Sequence, residues 1–126
     1  MDLTAPIARE KLNAILTELR RQLAGLYGPR LAHLILYGSQ ARRDAEPGSD
    51  IDVLVVLAGP VNPGVEIART GEIVASLSLK YDEVISCVYI SAEQFDHEDS
   101  PLLLNVRQEG AVLYDAAPIG SAEKGS

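Results

Sequence analysis

The chain has 126 residues, enough for one domain with a modest core, and its 47% apolar and 23% charged residues are ordinary for a globular protein. Its 18 acidic residues outnumber its 11 basic ones, so the net charge is −7. Nucleic-acid binders carry the opposite balance, because basic side chains must displace the counterions of phosphates. We therefore expect no direct binding to nucleic acid, and we favour a basic protein or a cationic small molecule as partner.

The apolar runs are too short to cross a membrane. The longest, 34–37 and 53–58, fall far below the roughly 20 residues that a spanning helix needs. The first residues show no basic segment followed by an apolar one, so we expect no secretory signal. Cys87 is the single cysteine and cannot form an internal disulfide. These features predict a cytoplasmic protein without a membrane segment.

An amphipathic helix opens the series of predicted elements. Thr4 is expected to cap its start, and Gly28 and Pro29 end it. Its apolar stripe consists of leucines three or four residues apart, the spacing of one helix face: Leu12, Leu16, Leu19, Leu23 and Leu26. A buried strand at 31–37 and a single helical turn at 40–43 follow.

The rest of the chain alternates between strands and helices. We expect a frayed tail from residue 116, where small and charged residues dominate. The predicted elements before this tail are a buried strand at 51–57, a helix over about 65–79, a strand at 84–90, a helix at 101–109 and a short strand at 111–114.

This order of elements predicts a single mixed α/β domain with a mixed sheet of about four strands covered by helices. Only residues 38–50 separate the first two strands, which is too short for a helical crossover. We therefore expect these strands to be antiparallel neighbours. We also expect the helices to cover mainly one face of the sheet and to leave the other face free for a site.

Two aspartates bracket the start of the second strand. Side chains two residues apart on a strand point to the same face, with Cα atoms roughly 6–7 Å apart, so Asp50 and Asp52 should lie side by side. Two carboxylates in this position repel each other unless a cation neutralises them. Their hard oxygen ligands suit Mg²⁺, which takes its remaining ligands from water and substrate phosphates.

A turn between strand and helix precedes the aspartates. Gly38 lets the backbone approach a ligand closely, and Ser39 offers a hydroxyl and an N–H group beside the start of a short helix. Arg42 or Arg43, on the same turn, could add a charge-assisted contact to phosphate. A metal between two aspartates, opposite such an anion-binding turn, is what phosphoryl and nucleotidyl transfer requires.

The motif Gly38-Ser39, ten residues, then Asp50-x-Asp52 resembles the signature of the DNA polymerase β-like nucleotidyltransferase superfamily. The string from Gly38 to Arg42, followed by Ser49 to Val55, resembles its minimal, single-domain branch, and the likeness runs from about residue 12 to residue 115. The resemblance implies a minimal nucleotidyltransferase domain at 1–115, followed by a disordered tail at 116–126. It also implies Mg²⁺ as cofactor and an NTP as substrate, bound through Gly38, Ser39, Arg42 and Arg43.

Members of the superfamily use three carboxylates as catalytic groups and metal ligands. The first two correspond to Asp50 and Asp52, and we assign the third to Asp82, with Glu83 as the alternative. If the third ligand belongs in the middle of the strand, near Ser86 or Val88, it is missing from this chain. Arg43 is a second departure, because the minimal branch often has glycine there.

Three functions fit a minimal domain of this kind. The favoured one is an antitoxin that transfers AMP from ATP to a tyrosine of a HEPN ribonuclease toxin, as members resembling this domain do. The alternatives are an enzyme that modifies aminoglycosides or similar small molecules, and an antitoxin that binds its toxin without catalysis. The sequence leaves open whether the protein forms homo-oligomers.

Overall fold

The computed structural model describes residues 9–42 and 48–116 of the chain. A 3-10 turn (Gly28–Arg30) joins the first helix to the first strand. The helices are α1 (Arg9–Tyr27), α2 (Ser39–Arg42), α3 (Pro63–Tyr81), α4 (Ala92–His97) and α5 (Pro101–Glu109). The strands are β1 (Leu31–Tyr37), β2 (Ile51–Leu57), β3 (Ile85–Ser91) and β4 (Ala111–Asp115). Within the described ranges, no helix is long and apolar enough to cross a membrane.

These elements confirm the predicted fold class, and β1, β2 and α5 have the predicted bounds. The predicted N-cap at Thr4 and the tail beyond Ala116 lie outside the described residues. Helix α4 was not predicted. It begins with a capping box, in which the Ser91 hydroxyl accepts from the N–H of Gln94 at 3.1 Å and the Gln94 side chain accepts from the N–H of Ser91 at 3.2 Å.

The four strands form one mixed sheet in the order β3-β2-β1-β4. Strand β1 is antiparallel to β2, as predicted, and also to β4. Helix α3 carries the chain back across the sheet, so β3 runs parallel to β2. In this register Asp52 lies between Tyr37 of β1 and Ser86 of β3.

Helices cover both faces of the sheet. The prediction of one free face is therefore wrong for the centre of the second face, which α5 covers. Leucines of α1 pack with alternate residues of β2, such as Val53 and Val55, on one face. On the other face, Leu103 and Val106 of α5 pack against Leu54 and its neighbours. The reason is that β2 is apolar on both sides, as expected for a central strand. At the start of β2, this second face carries the acidic side chain of Asp52, close to Asp50.

A buried carboxylate ties α3 to the end of α1. Glu66 is 3% exposed, and its Oε1 atom accepts hydrogen bonds from the Tyr27 hydroxyl at 2.7 Å and from Arg69 Nε at 3.0 Å. Arg30 Nη1 lies 3.5 Å from Glu66 Oε2. Burial alone would raise the pKa of Glu66, but the hydrogen bonds from Tyr27 and Arg69 and the two arginine charges lower it below its usual value.

We predict that Glu66→Gln lowers the free energy of unfolding at pH 7 by about 1–3 kcal/mol, measured by urea denaturation, because the amide cannot replace a charged acceptor. The folded-state pKa of Glu66 lies below its usual value of 4.5. The ionised carboxylate therefore stabilises the fold above pH 4.5, and this stabilisation is lost as the pH falls through the folded-state pKa. The difference between wild type and variant should therefore shrink in acid.

The control for this prediction is Glu72→Gln, which changes an exposed carboxylate on the same helix. Its free energy of unfolding should stay within about 0.5 kcal/mol of wild type. A Glu66→Gln difference that stays constant from neutral pH into acid would contradict the prediction.

Candidate active site

The two predicted aspartates lie together at the start of β2. Asp50 directly precedes the strand and is exposed, whereas Asp52 is its second residue and is partly buried. Burial, and then the negative charge of Asp50, raise the pKa of the Asp52 carboxyl. A divalent cation between the two carboxylates would relieve this repulsion.

Gly38 brings the turn after β1 into contact with Asp52. Its φ is +76°, a conformation that favours glycine, and a Cβ atom at this position would lie 2.6 Å from Asp52 Oδ2. Because glycine has no side chain, the Asp52 carboxylate can lie against the backbone that leads into Ser39. The predicted anion-binding turn and the predicted metal ligand are in direct contact.

Helix α2 is a single turn that begins at Ser39 and ends at Arg42. The N–H groups of Ala41 and Arg42 both donate to the carbonyl of Gly38 at 3.1 Å, which closes this turn. Arg42 is exposed, and its Nη1 atom donates to Glu109 Oε1 of α5 at 3.0 Å. Arg43 lies outside the described residues. Gly38 thus lies against Asp52 and leads directly into Ser39, while Arg42 at the other end of the turn contacts α5.

The two candidates for the third carboxylate lie before β3. Asp82 is exposed at the C-terminal cap of α3, in a left-handed backbone conformation with φ 56°, and Glu83 pairs with Lys11 at 3.0 Å. In the part of the chain that the structure describes, no three His, Cys, Asp or Glu side chains are grouped so that they could hold a metal. Asp82 and Glu83 are thus not brought into such a group with Asp50 and Asp52.

Two neighbours of the aspartates follow from strand pairing. Ser86 is the register partner of Asp52, and its Oγ atom donates to Asp50 Oδ2 at 3.4 Å. Tyr37, the register partner of Asp52 on β1, packs against the apolar residues beneath α5. Burial, and to a lesser extent the negative charge of Asp52, raise the pKa of the Tyr37 hydroxyl. Sequence reasoning missed Tyr37, although the antiparallel pairing that we predicted for its strand was the signal that could have found it.

The donor set of this site fits Mg²⁺. Asp50, Asp52 and Ser86 offer only oxygen atoms, which hard divalent cations prefer. Cys87 packs against the core on the opposite face of the sheet, and burial raises the pKa of its thiol to about 11, so it is neither a soft ligand nor a nucleophile. The side-chain atoms next to the turn at Gly38 are thus of the kind that a hard divalent cation binds.

Comparison with known protein families decides the enzyme class. A family model described as a nucleotidyltransferase domain matches residues 16–114, which include the whole site. The chain belongs to this family. The predicted nucleotidyltransferase class is therefore confirmed.

One curated relative and several solved structures are similar to this nucleotidyltransferase. A protein of Methanocaldococcus jannaschii to which protein adenylyltransferase activity is ascribed is 36% identical over 93 residues, covering 73% of this chain and 87% of the relative.

The structures share the fold. A toxin–antitoxin structure with AMP-PNP matches with a TM-score of 0.56 and 21% identity, covering 92% of this chain and 80% of the matched chain. A Shewanella oneidensis complex of a tri-AMPylated HEPN toxin with its MNT antitoxin matches with a TM-score of 0.51 and 23% identity, covering 90% and 77%.

We predict that Gly38→Ala disrupts the site more than the fold. The added Cβ must displace the Asp52 carboxylate, so the affinity for ATP in the presence of Mn²⁺ should fall about tenfold or more, measured by calorimetry. Because alanine disfavours the left-handed backbone conformation of this position, the variant should also lose about 1–2 kcal/mol in its free energy of unfolding.

The matched control is Gly59→Ala at the far end of β2. Gly59 has φ +83°, but a Cβ there meets nothing within 4 Å, so the variant carries the same backbone strain without the collision. It should lose similar stability and keep the affinity of wild type. Equal ATP affinity in both variants would contradict a close approach of Asp52 to the turn.

Proposed function

We propose that this nucleotidyltransferase is an antitoxin that transfers AMP from ATP to a tyrosine of a HEPN ribonuclease toxin. The observation that carries the proposal is the contact between Asp52 and the Gly38–Ser39 turn, because it joins a pair of metal-binding carboxylates to a turn suited to phosphates. The choice of AMP and of a protein acceptor is supported by the ascribed activity of the M. jannaschii relative and by the AMPylated toxin in the Shewanella complex.

In this reaction the tyrosine oxygen attacks the α-phosphorus of ATP and the bond from that phosphorus to the bridging oxygen breaks. Pyrophosphate leaves with that oxygen, and the phenolic proton is released. Mg²⁺ held by Asp50 and Asp52 would neutralise charge on the phosphates. Ser39 would bind the triphosphate through its N–H and hydroxyl groups. Arg42 would exchange its contact with the Glu109 carboxylate for one with phosphate.

The position and charge of the site suit a protein acceptor. Asp50 is exposed at the end of the sheet, so a side chain presented by another protein can reach it. The net charge of −7 disfavours a nucleic acid in the same place, because phosphate groups would be repelled. Tyr37, which is partly buried beside Asp52, gives this end of the sheet an aromatic wall.

The experiment is to incubate the chain with a HEPN toxin encoded beside it, ATP and Mg²⁺, and to record the intact mass of the toxin. We expect a gain of one or more whole AMP units. In the double variant Asp50→Asn, Asp52→Asn, the new side chains have nearly the same size as the aspartates but carry no charge. With this variant the toxin should gain no mass, because both charged ligands are removed.

Unmodified toxin in a stable complex with the wild-type chain would contradict the proposal and indicate an antitoxin that acts by contact alone. ATP-dependent modification of an aminoglycoside with no protein modified would favour the small-molecule enzyme instead. Modification that persists in the double variant would show that the aspartates are not the catalytic groups.

A further inference from the structure

Ser86 occupies the place on β3 that is nearest to the two aspartates. Strands β2 and β3 are parallel and in register, with Asp52 opposite Ser86 and Leu54 opposite Val88. Register partners point to the same face of a sheet, so Ser86 shares the face of Asp52. Its Oγ atom is also 3.4 Å from Asp50 Oδ2, so one hydroxyl lies beside both carboxylates.

The other positions of β3 on this face cannot contribute a ligand. Val88 and Ile90 pack into the apolar cluster beneath α5 and carry no oxygen. Asp82 and Glu83 precede the strand, one at the cap of α3 and the other paired with Lys11. An acidic side chain at position 86 would face Asp50 directly, whereas the chain has a neutral hydroxyl there.

We propose that Ser86 takes the third ligand position, so the metal site of this chain has two carboxylates and one hydroxyl. This inference rests on the proposed function of Asp50 and Asp52 as metal ligands. Because metal affinity rises with the number of charged ligands, the nucleotide-free site binds a divalent cation weakly. The phosphate oxygens of ATP supply the missing negative charge, so metal and nucleotide bind together.

The test is to add back the missing charge with Ser86→Asp and to titrate Mn²⁺ into the nucleotide-free chain, with free Mn²⁺ followed by electron paramagnetic resonance. We expect the dissociation constant to fall at least tenfold, and the melting temperature of the variant to rise more with Mn²⁺ than that of wild type. The charge control is Ser76→Asp on the exposed side of α3, which should bind Mn²⁺ like wild type.

A second set of variants removes a carboxylate charge and adds none. Asp82→Asn should leave Mn²⁺ affinity within twofold of wild type, whereas Asp50→Asn should weaken it more than tenfold. The proposal is overturned if Asp82→Asn weakens Mn²⁺ binding as much as Asp50→Asn does. It is also overturned if a folded Ser86→Asp variant, checked by circular dichroism, binds Mn²⁺ no more tightly than Ser76→Asp.

Metal binding and AMP transfer are measured separately, so the two proposals can fail separately. Tighter Mn²⁺ binding by Ser86→Asp with no toxin modification by any variant would support the assignment of Ser86 and overturn the proposed transfer. Toxin modification that needs Asp50, with Mn²⁺ affinity set by Asp82, would support the transfer and overturn the assignment of Ser86.

Discussion

The contact between the Asp52 carboxylate and the backbone of Gly38 is the constraint around which the site is built. It exists because β1 and β2 pair as antiparallel neighbours, with Tyr37 opposite Asp52, so the turn that leaves β1 meets the beginning of β2. Both strands are buried by helices and cannot slip in register without exposing apolar side chains. The core therefore sets the distance between Asp52, the proposed metal ligand, and the turn at Gly38 that is proposed to bind phosphate.

Coverage of both sheet faces determines where the chemistry can lie. Helix α5 buries the centre of the second face, whereas Asp50 at the end of this face is exposed and Asp52 is partly buried. The same helix supplies Glu109, which contacts Arg42 beside the turn. Packing that stabilises the fold thus also orients a side chain of the proposed triphosphate site.

Local patterns in the sequence were sufficient for every described α-helix and strand except α4 and for the pair of aspartates, because apolar runs, helical spacing and turn residues act over a few positions. The sequence did not predict that α5 covers the second face, since the apolar residues of β2 indicate burial without saying which element provides it. Ser86 and Tyr37 lie beside Asp52 because their strands pair with β2. The register of this pairing is not visible in a local stretch of sequence. The family resemblance predicts Asp82 as the third carboxylate because it lies at the start of the third predicted strand, and the structure places it at the C-terminal cap of α3.

The arrangement of metal and triphosphate at this site is tested most directly by a crystal structure of the chain with Mn²⁺ and a non-hydrolysable ATP analogue. The metal would be located by anomalous scattering. We expect a Mn²⁺ peak bound by Asp50 and Asp52, phosphate oxygens completing its coordination, and the triphosphate lying against the Gly38–Ser39 turn. A metal bound elsewhere, or a triphosphate that leaves this turn untouched, would contradict the account.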